Sequence, residues 1–449
     1  MQKLIGKYGL AAHLALVVVA PLFFTPTTVI WLSVLAVLWF LKEPSRVGFE
    51  QLHDARKRVL SSLWRDPVFW VFLLLTVIAG VRAVNSGVAL AYDAEAASWS
   101  VTSPMCTFLP GSADGVGFPF FAGMVAVFVA VSICMHALGR SARFAFILVA
   151  STLSAFGAGT MLVLLHLGND AAVKAASLSY QDPSFVGAVF GVHLVGAVAA
   201  LFFTFDRRWY RAIPLAMLGV AGNTAGLFVF APPILHCFFA AAAVLMFLYS
   251  FVYARKRLPS HAEFKYMVMF GLSITLAWLS AVWVLDEAGL EARVEPYLTG
   301  DFLAEDYKAL RSVLSSISAD IWKASPWFGG GLGSFRMELG FHASREQWAV
   351  MPALQNAPLN GYWLLLAERG IVGAFLLAVA VLVLAGFFVR NLVSGVVRGL
   401  PSPAAWTGLL ASIAAVGSVL FSVTLLSPGL AAAVAAYLSV SINAFPKEK

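Results

Sequence analysis

Long apolar blocks follow one another along almost the whole chain and constrain its fold more than any other feature. Each block is about 20 residues long, the length at which an α-helix crosses the hydrocarbon core of a bilayer. Hydrophobic residues make up 60% of the 449 residues and charged residues only 12%, which is about half the charged share of a soluble domain. One soluble core cannot bury this much apolar surface. The sequence therefore predicts an all-α integral membrane protein.

Twelve of these blocks are predicted to be transmembrane helices. They are residues 9–24, 27–41, 67–86, 117–137, 144–167, 185–205, 212–230, 232–254, 266–285, 370–389, 403–424 and 428–444. In this division, residues 1–286 hold the first nine helices, 287–360 form one large loop, and 361–449 hold the last three helices. Lys3 and Lys7 precede the first block as in a signal peptide. Because no clear small-residue cleavage site follows, we expect an uncleaved first helix.

Lysine and arginine collect in every second link between the predicted spans, and this alternation sets the expected orientation. The basic links contain Lys42, Arg46, Arg56, Lys57, Arg58 and Arg65; Arg140 and Arg143; Arg207, Arg208 and Arg211; Arg255, Lys256, Arg257 and Lys265; and, at the end, Arg390, Arg398, Lys447 and Lys449. In the intervening links 87–116 and 168–184, Lys174 is the only basic residue. Both termini are therefore predicted to be cytoplasmic and the 287–360 loop to lie outside. Although the net charge is +7, no soluble basic face is present for a nucleic acid.

The loop is the one region whose composition is that of a soluble domain. It opens with seven acidic residues, namely Asp286, Glu287, Glu291, Glu295, Asp301, Glu305 and Asp306. The segment from Tyr307 to Ser325 then has its apolar residues on one helical stripe, and Pro326 ends it. A glycine-rich turn, 329–333, follows. It resembles a phosphate cradle, but because no strand precedes it, a tight turn after a helix is favoured.

Three pieces of the chain, taken together and in order, resemble the bacterial O-antigen ligase and O-antigen polymerase family. They are Arg311, the turn from Pro326 to Phe335, and the segment from Asn360 to Gly373. In that family an arginine precedes a Pro-x-x-Gly-x-Gly turn by about four helical turns. A His-Asn pair follows, then nine residues and Gly-x-x-Gly. Here Arg311 stands fifteen residues before Pro326, and nine residues separate Asn360 from Gly370.

This resemblance implies an enzyme that joins polyprenyl-diphosphate-linked glycans to a glycan or lipid acceptor at the outer face of the bacterial inner membrane, with no cofactor. The chain departs from the family pattern at two places. The histidine position holds Leu359, and the Ser-Arg pair of a middle helix is replaced by Pro232-Pro233. Three readings stay open: a polymerase-like variant, a transferase with a relocated base, and an inactive relative.

The chemistry of such a transfer requires arginines and a proton acceptor, which are the kinds of residue that the family motifs contain. Departure of a polyprenyl diphosphate leaves an anion, which arginine matches with a fork of donors, and the acceptor hydroxyl needs a group that takes its proton. Candidate diphosphate ligands are Arg311, Arg369, Arg82, Arg336 and Arg345, with Asn360 and Trp322 as further substrate contacts; candidate bases are Glu368 and His342. The sequence has no carboxylate pair or histidine cluster with metal-ligand spacing, so metal-independent transfer is expected.

Each candidate also has a purely structural interpretation. Arg311 can lie on the solvated face of its helix, and Glu368 with Arg369 can form an interfacial ion pair. Arg82 can extend to the lipid headgroups. Asn360 can cap the helix that begins after it. Four tryptophans can stack on sugars or lie at the membrane interface, namely Trp322, Trp327, Trp348 and Trp363. The histidines in or near the spans, His136, His166, His193 and His236, are expected to satisfy local hydrogen bonds.

Functions of two other classes remain open. A secondary transporter usually has ionisable residues near the bilayer midplane, and a lipid-linked sugar flippase needs a polar cavity between helices. The middles of the predicted spans contain nothing more polar than Asn223 and His193. The third possibility is a non-catalytic member of an envelope polysaccharide assembly complex, which the loss of the histidine at Leu359 keeps open.

Overall fold

The protein is described here by a computed structural model. It covers residues 2–42, 67–93, 98–102, 106, 109–113, 115–136, 140–167, 183–206, 209–230, 233–257, 260–287, 305–344, 347, 360–398, 403–419 and 428–444. Leu359, Arg345, Trp348 and most of the predicted acidic start of the loop lie outside the described residues.

Fourteen α-helices make up almost all of the described structure. In chain order they are α1 Gln2–Phe23, α2 Pro26–Lys42, α3 Pro67–Val84, α4 Gly117–His136, α5 Arg140–His166, α6 Pro183–Asp206, α7 Ile213–Phe230, α8 Pro233–Arg257, α9 Ser260–Glu287, α10 Glu305–Ala324, α11 Phe335–His342, α12 Gly361–Arg398, α13 Pro403–Val419 and α14 Pro428–Ala444. A short 3₁₀ turn, Tyr210–Ala212, precedes α7.

Five segments among the described residues are long and apolar enough to cross a membrane. They are Ala142–Leu164, Val186–Phe205, Tyr210–Phe230, Leu235–Arg255 and Gly361–Val383. Shorter apolar helices occupy the other predicted spans, in α1, α2, α3, α4, α9, α13 and α14. The chain is therefore an all-α membrane protein, as its composition predicts.

The centre of the helix bundle is α6. Its apolar part, Val186–Phe205, is buried along its whole length, and α5, α7, α8, α13 and α14 pack around it. Small residues allow this close packing. At Gly196, for example, a Cβ atom would lie 2.5 Å from the hydroxyl oxygen of Tyr437 on α14. Even an alanine at this position would therefore push the two helices apart.

Three buried polar side chains inside the bundle are bonded to neighbouring helices. The Nδ1 atom of His193 lies 2.8 Å from the hydroxyl of Tyr437, and Nε2 of His236 lies 2.8 Å from the carbonyl oxygen of Leu227. The side-chain amide of Asn223 donates to the carbonyl of Ser151 at 2.8 Å. The expectation of local hydrogen bonds is thus confirmed for His193 and His236.

Short strands form between α3 and α4, a segment predicted only as a link. β1 (Ser86–Val88) runs parallel to β4 (Ser112–Ala113), and β2 (Leu90–Asp93) runs antiparallel to β3 (Ser98–Val101). The side chain of Asn85, just after α3, holds this region together. Its amide donates to the carbonyls of Cys106 and Leu109, and its oxygen accepts from the backbone N–H of Cys106. These strands place the 111–113 segment directly over the end of α3.

The amphipathic helix predicted in the loop is present as α10. Its predicted apolar stripe is confirmed, because Leu314, Ile317 and Ile321 are fully buried. They form a second, separate core with residues of α11 and of the start of α12, namely Phe335, Leu339, Leu364, Leu365 and Ala367. Burial of each large side chain contributes roughly 1.5–3 kcal/mol. This core therefore holds the described part of the loop against α12.

The tenth predicted span, residues 370–389, lies within a longer helix. Helix α12 begins at Gly361 and is interrupted at Gly370, whose dihedral angles are φ 62° and ψ −170°. Glu368 and Arg369, just before Gly370, are strong helix formers, so the pattern alone did not mark the break. Residues 361–369 belong to the second core, and the apolar segment proper starts at Ile371.

Candidate functional site

The segment after α10 is a tight glycine turn, as predicted. Gly329, Gly331 and Gly333 have φ angles of 70°, 108° and 83°, values that residues with a side chain rarely adopt. The N–H of Gly329 donates to the carbonyl of Ser325 at 2.9 Å, which closes the end of α10. The three left-handed glycines then let the chain reverse direction over only a few residues.

The glycine turn, residues 326–333, is seated in the break of α12. Four backbone hydrogen bonds join the two segments: Gly330 N–H to Ala367 O (2.9 Å), Gly331 N–H to Glu368 O (3.2 Å), Ile371 N–H to Pro326 O (2.9 Å) and Val372 N–H to Trp327 O (3.1 Å). The break interrupts the hydrogen bonding of the helix, and the turn supplies replacement partners. This matters because an unsatisfied backbone group is costly in an apolar environment.

Two glycines make this close approach possible. A Cβ atom on Gly370 would lie 2.3 Å from the carbonyl oxygen of Trp327, and one on Gly329 would lie 2.4 Å from the carbonyl carbon of Glu368. Neither obstacle is a movable side-chain end; both are backbone. The spacing of glycines that resembles the O-antigen family thus has a direct structural reason in this chain.

The carboxylate of Glu368 is bound by the same turn. Its side chain is 6% exposed, and it accepts hydrogen bonds from the backbone N–H groups of Gly333 and Phe335. Phe335 is the first residue of α11, and a helix N-terminus favours an anion. Backbone N–H groups of the glycine turn and of α11 thus bind a side-chain group. That group is a carboxylate of the chain itself.

Two arginines lie beside this carboxylate. Arg82, in the last turn of α3, is within electrostatic range of both Glu368 and Arg369. The guanidinium carbon of Arg369 lies 4.7 Å from the centre of the Phe120 ring, a cation–π contact. The structure therefore brings Arg82 together with two predicted site residues, Glu368 and Arg369, that are distant from it in the sequence. Phe120 was not predicted, and no local motif marks it.

The interpretation of Arg82 as a residue that extends to the headgroups is wrong, because its side chain is only 4% exposed. Its Nη1 atom is buried without a hydrogen-bond partner among the described residues. Its carbonyl oxygen accepts a hydrogen bond from the hydroxyl of Ser112 at 2.8 Å. A Cβ atom on Gly117 would lie 3.1 Å from that same carbonyl. The end of α3 is thus covered by the 111–117 segment.

Arg82 and Arg369 lie at one end of a cleft of about 600 Å³. Helices α3, α4, α12, α13 and α14 line it, and apart from these two arginines and Ser412 every lining residue is apolar or glycine. Along α12 the lining runs from Arg369 to Val389. Twenty residues of helix span about 30 Å, which is also the approximate thickness of the hydrocarbon core of a bilayer.

The other predicted site residues have these positions. Asn360 caps α12, since its side-chain oxygen accepts from the N–H of Tyr362 at 3.0 Å. Trp322 donates from its ring nitrogen to the carbonyl of Pro326 at 3.3 Å, and its ring centre lies 6.5 Å from that of Trp363.

Arg311 is half-buried in the second turn of α10. His342 and Arg336 are at the two ends of α11, and Arg336 is exposed.

Glu338, in the middle of α11, is a further carboxylate near the turn. Its Oε1 atom lies 1.8 Å from where a Cβ atom on Gly330 would be, so only glycine leaves room for it. Burial raises the pKa of Glu338 above the usual value of a glutamate. No motif or spacing in the sequence marks this residue.

Within the described residues, no group of three or more histidine, cysteine, aspartate or glutamate side chains is arranged to hold a metal ion.

The resemblance to the O-antigen ligase and polymerase family rests on short motifs in order and on the pattern of apolar blocks. In comparisons with known proteins, no protein-family model matches the chain and no curated protein is significantly similar to it.

Proposed function

We propose that this chain transfers or polymerises a polyprenyl-diphosphate-linked glycan at the periplasmic face of a bacterial inner membrane. In this proposal twelve helices cross the membrane, both termini are cytoplasmic, and the 287–360 loop is periplasmic. The alternation of basic links supports the orientation. The ordered motifs around Arg311, Pro326 and Asn360 support the reaction class.

The observation that carries the proposal is the apolar cleft with Arg82 and Arg369 at one end. Its length suits a long hydrocarbon chain, and its arginines suit an anionic headgroup. Among the described residues, Arg369 and Glu368 are the charged groups that act on Arg82, so two guanidinium groups lie beside a single buried carboxyl group. A buried cation is costly unless an anion compensates it. A lipid diphosphate supplies that anion at the place where the lipid tail enters the cleft.

The chemical step follows from this arrangement. An acceptor hydroxyl attacks the anomeric carbon of the donor sugar, and the bond from that carbon to the diphosphate oxygen breaks. Polyprenyl diphosphate leaves with the electron pair, while the hydroxyl proton passes to a base. Arg82 and Arg369 stabilise the charge that develops on the leaving group. They supply the positive charge that a metal ion would otherwise provide, so we propose a metal-independent transfer.

Glu368 and His342 remain the two candidate bases. Glu368 adjoins both arginines, which favours it. Its carboxylate also accepts two backbone hydrogen bonds, so any proton it takes must arrive at an oxygen lone pair that those bonds leave open. His342 lies at the far end of α11, about 10 Å along the helix from Phe335. Variants at both positions therefore separate the two assignments.

A secondary transporter or a flippase is the main alternative from another class. Among the described residues, the fully buried charged side chains are Arg82 and Glu368. Both lie where the helices meet the glycine turn, outside the middle of the bundle. Asn223 and His193 are bonded to protein groups. A translocation path through the bundle would need polar groups that face an open cavity, and the cleft between α3 and α12 is apolar.

The first experiment measures binding. The full-length protein in lipid nanodiscs is titrated with a polyprenyl diphosphate, and the Arg82→Gln and Arg369→Gln variants are compared with it. Loss of one charged hydrogen bond costs about 1.5–3 kcal/mol, or roughly a 10- to 150-fold rise in Kd. Arg211→Gln is the matched control, because Arg211 is exposed at the start of α7. Equal affinities for all four proteins would contradict the proposed headgroup site.

The second experiment measures the reaction. Nanodiscs that contain a lipid-linked oligosaccharide and an acceptor glycan are assayed for release of free polyprenyl diphosphate, with and without a chelator. We expect release that the chelator does not change. Binding without release would point to the non-catalytic reading, and movement of a labelled lipid-linked sugar across sealed vesicles would point to a flippase. Activity that the chelator abolishes and magnesium restores would refute metal independence.

A further inference from the structure

Two large apolar side chains of the glycine turn project away from the protein. Trp327 is 66% exposed and Phe328 is 37% exposed. Both belong to a turn whose backbone is fixed by four hydrogen bonds to α12. The two exposed side chains are therefore held at a defined position beside α12. Exposed apolar groups at a fixed position indicate contact with an apolar or interfacial partner.

The depth of the turn relative to a bilayer follows from its hydrogen bonds. The N–H groups of Ile371 and Val372 donate to the carbonyls of Pro326 and Trp327. Residues 371–389 contain no charged side chain, and Arg390 follows them. Nineteen helical residues span about 28 Å, close to the thickness of the hydrocarbon core. Ile371 therefore marks one boundary of that core, and the turn lies at the level of the headgroups.

The sideways direction of the turn follows from the two faces of α12. Ile371, Phe375 and Leu382 are 43%, 64% and 70% exposed, and their spacing places them on one stripe of the helix. None of the three lines the cleft, whereas Gly373 and Leu377 do. The stripe is the face that an apolar membrane-crossing helix presents to lipid. The exposed side chains of the turn continue it beyond Ile371.

From these three observations we propose that Trp327 and Phe328 anchor the glycine turn in the headgroup region of the adjoining lipid leaflet. Tryptophan suits this layer because its ring is apolar and its N–H can still bond to water or lipid. The partner is the phospholipid leaflet itself. The inference requires that α12 crosses the membrane, but it does not require the proposed glycan transfer. Through the turn, the anchor also fixes the depth of Glu368 and the neighbouring arginines.

The test uses the full-length protein in phospholipid nanodiscs with a benzophenone amino acid at a single position. After illumination, mass spectrometry identifies what is attached. Positions 327 and 328 are expected to give on the order of tenfold more phospholipid adduct than position 336, because Arg336 is a charged, exposed residue of α11. Position 375 serves as the positive control for lipid contact. The proposal is overturned if position 375 gives lipid adducts while 327 and 328 give adducts only to peptides of the chain.

A second, independent measurement tests the same contact in case a benzophenone variant does not fold. Nitroxide labels are placed at positions 327 and 336 in a chain whose Cys106, Cys134 and Cys237 are replaced. We expect oxygen to relax the label at 327 more strongly than a water-soluble nickel complex does, with the opposite order at 336. Stronger relaxation of the label at 327 by the nickel complex than by oxygen would also overturn the proposal.

Discussion

Replacing Gly370 by alanine should release the glycine turn from α12. The φ and ψ angles of Gly370, 62° and −170°, lie in a region that is essentially restricted to glycine, and a side chain there costs about 1–3 kcal/mol. The new Cβ atom would also lie 2.3 Å from the carbonyl oxygen of Trp327. The turn must move away, which weakens the hydrogen bonds from Ile371 and Val372, each worth about 1 kcal/mol. The total is about 3–5 kcal/mol.

Hydrogen exchange measured by mass spectrometry detects this loss directly. Because every 1.4 kcal/mol is a factor of ten, the backbone amides of Gly330, Gly331, Ile371 and Val372 should exchange on the order of 10²–10³ times faster in Gly370→Ala. Gly386→Ala is the matched control, since it lies in the same helix and a Cβ atom there meets no atom within 4 Å. The reasoning is refuted if the two variants exchange alike at these four amides.

Three further predictions concern orientation, catalysis and pH. Alkaline phosphatase fused after Ser344 should be active and fused after Lys265 nearly inactive; the reverse pattern would invert the proposed topology. If Glu368 is the base, Glu368→Gln should lower the rate of transfer roughly 100-fold or more while lipid binding stays normal. If instead His342→Ala is inactive and Glu368→Gln is active, the base is His342. Burial raises the pKa of Glu338 in the folded protein. The contribution of Glu338 to the free energy of unfolding is therefore fully present below the ordinary glutamate pKa, and it is lost as the pH rises through the pKa of Glu338 in the folded protein. Glu338→Gln should therefore flatten the dependence of the melting temperature on pH, and an unchanged slope would contradict this.

The helices and their faces were predictable because the signals that determine them are local. The stripe of Leu314, Ile317 and Ile321 lies within one helix, so its period alone shows which side is buried. The cap at Asn360 is equally local, since it involves an amide two residues further on. The tight turn at the glycines was predictable for the same reason.

The seating of the turn and the burial of Arg82 were not predictable, because they depend on segments that are distant in the sequence. Gly370 is the residue that breaks α12, yet the residues just before it, from Leu364 to Arg369, all favour helix. Only the carbonyl of Trp327, which approaches from the loop, explains why the break is there. Arg82 has the position of an interfacial arginine at the end of a span. Its surroundings come from distant segments: Ser112 donates to its backbone carbonyl, and Glu368 and Arg369 lie within electrostatic range of its side chain.

The seating of the turn in α12 also imposes an order on the biogenesis of the protein. The turn leaves the ribosome before the residues that accept and donate its four hydrogen bonds. Until residues 367–372 are in place, the turn lacks these four bonds, and its backbone bonds to the earlier strand region are those of Leu332 with Gly111 and Ala113. A nascent chain that stops short of Ile371 should therefore leave the segment around Trp327 open to proteolysis, and completion of α12 should protect it. Insertion of the tenth predicted span is thus the event that completes the seating of the glycine turn, whereas the cleft still awaits α13 and α14.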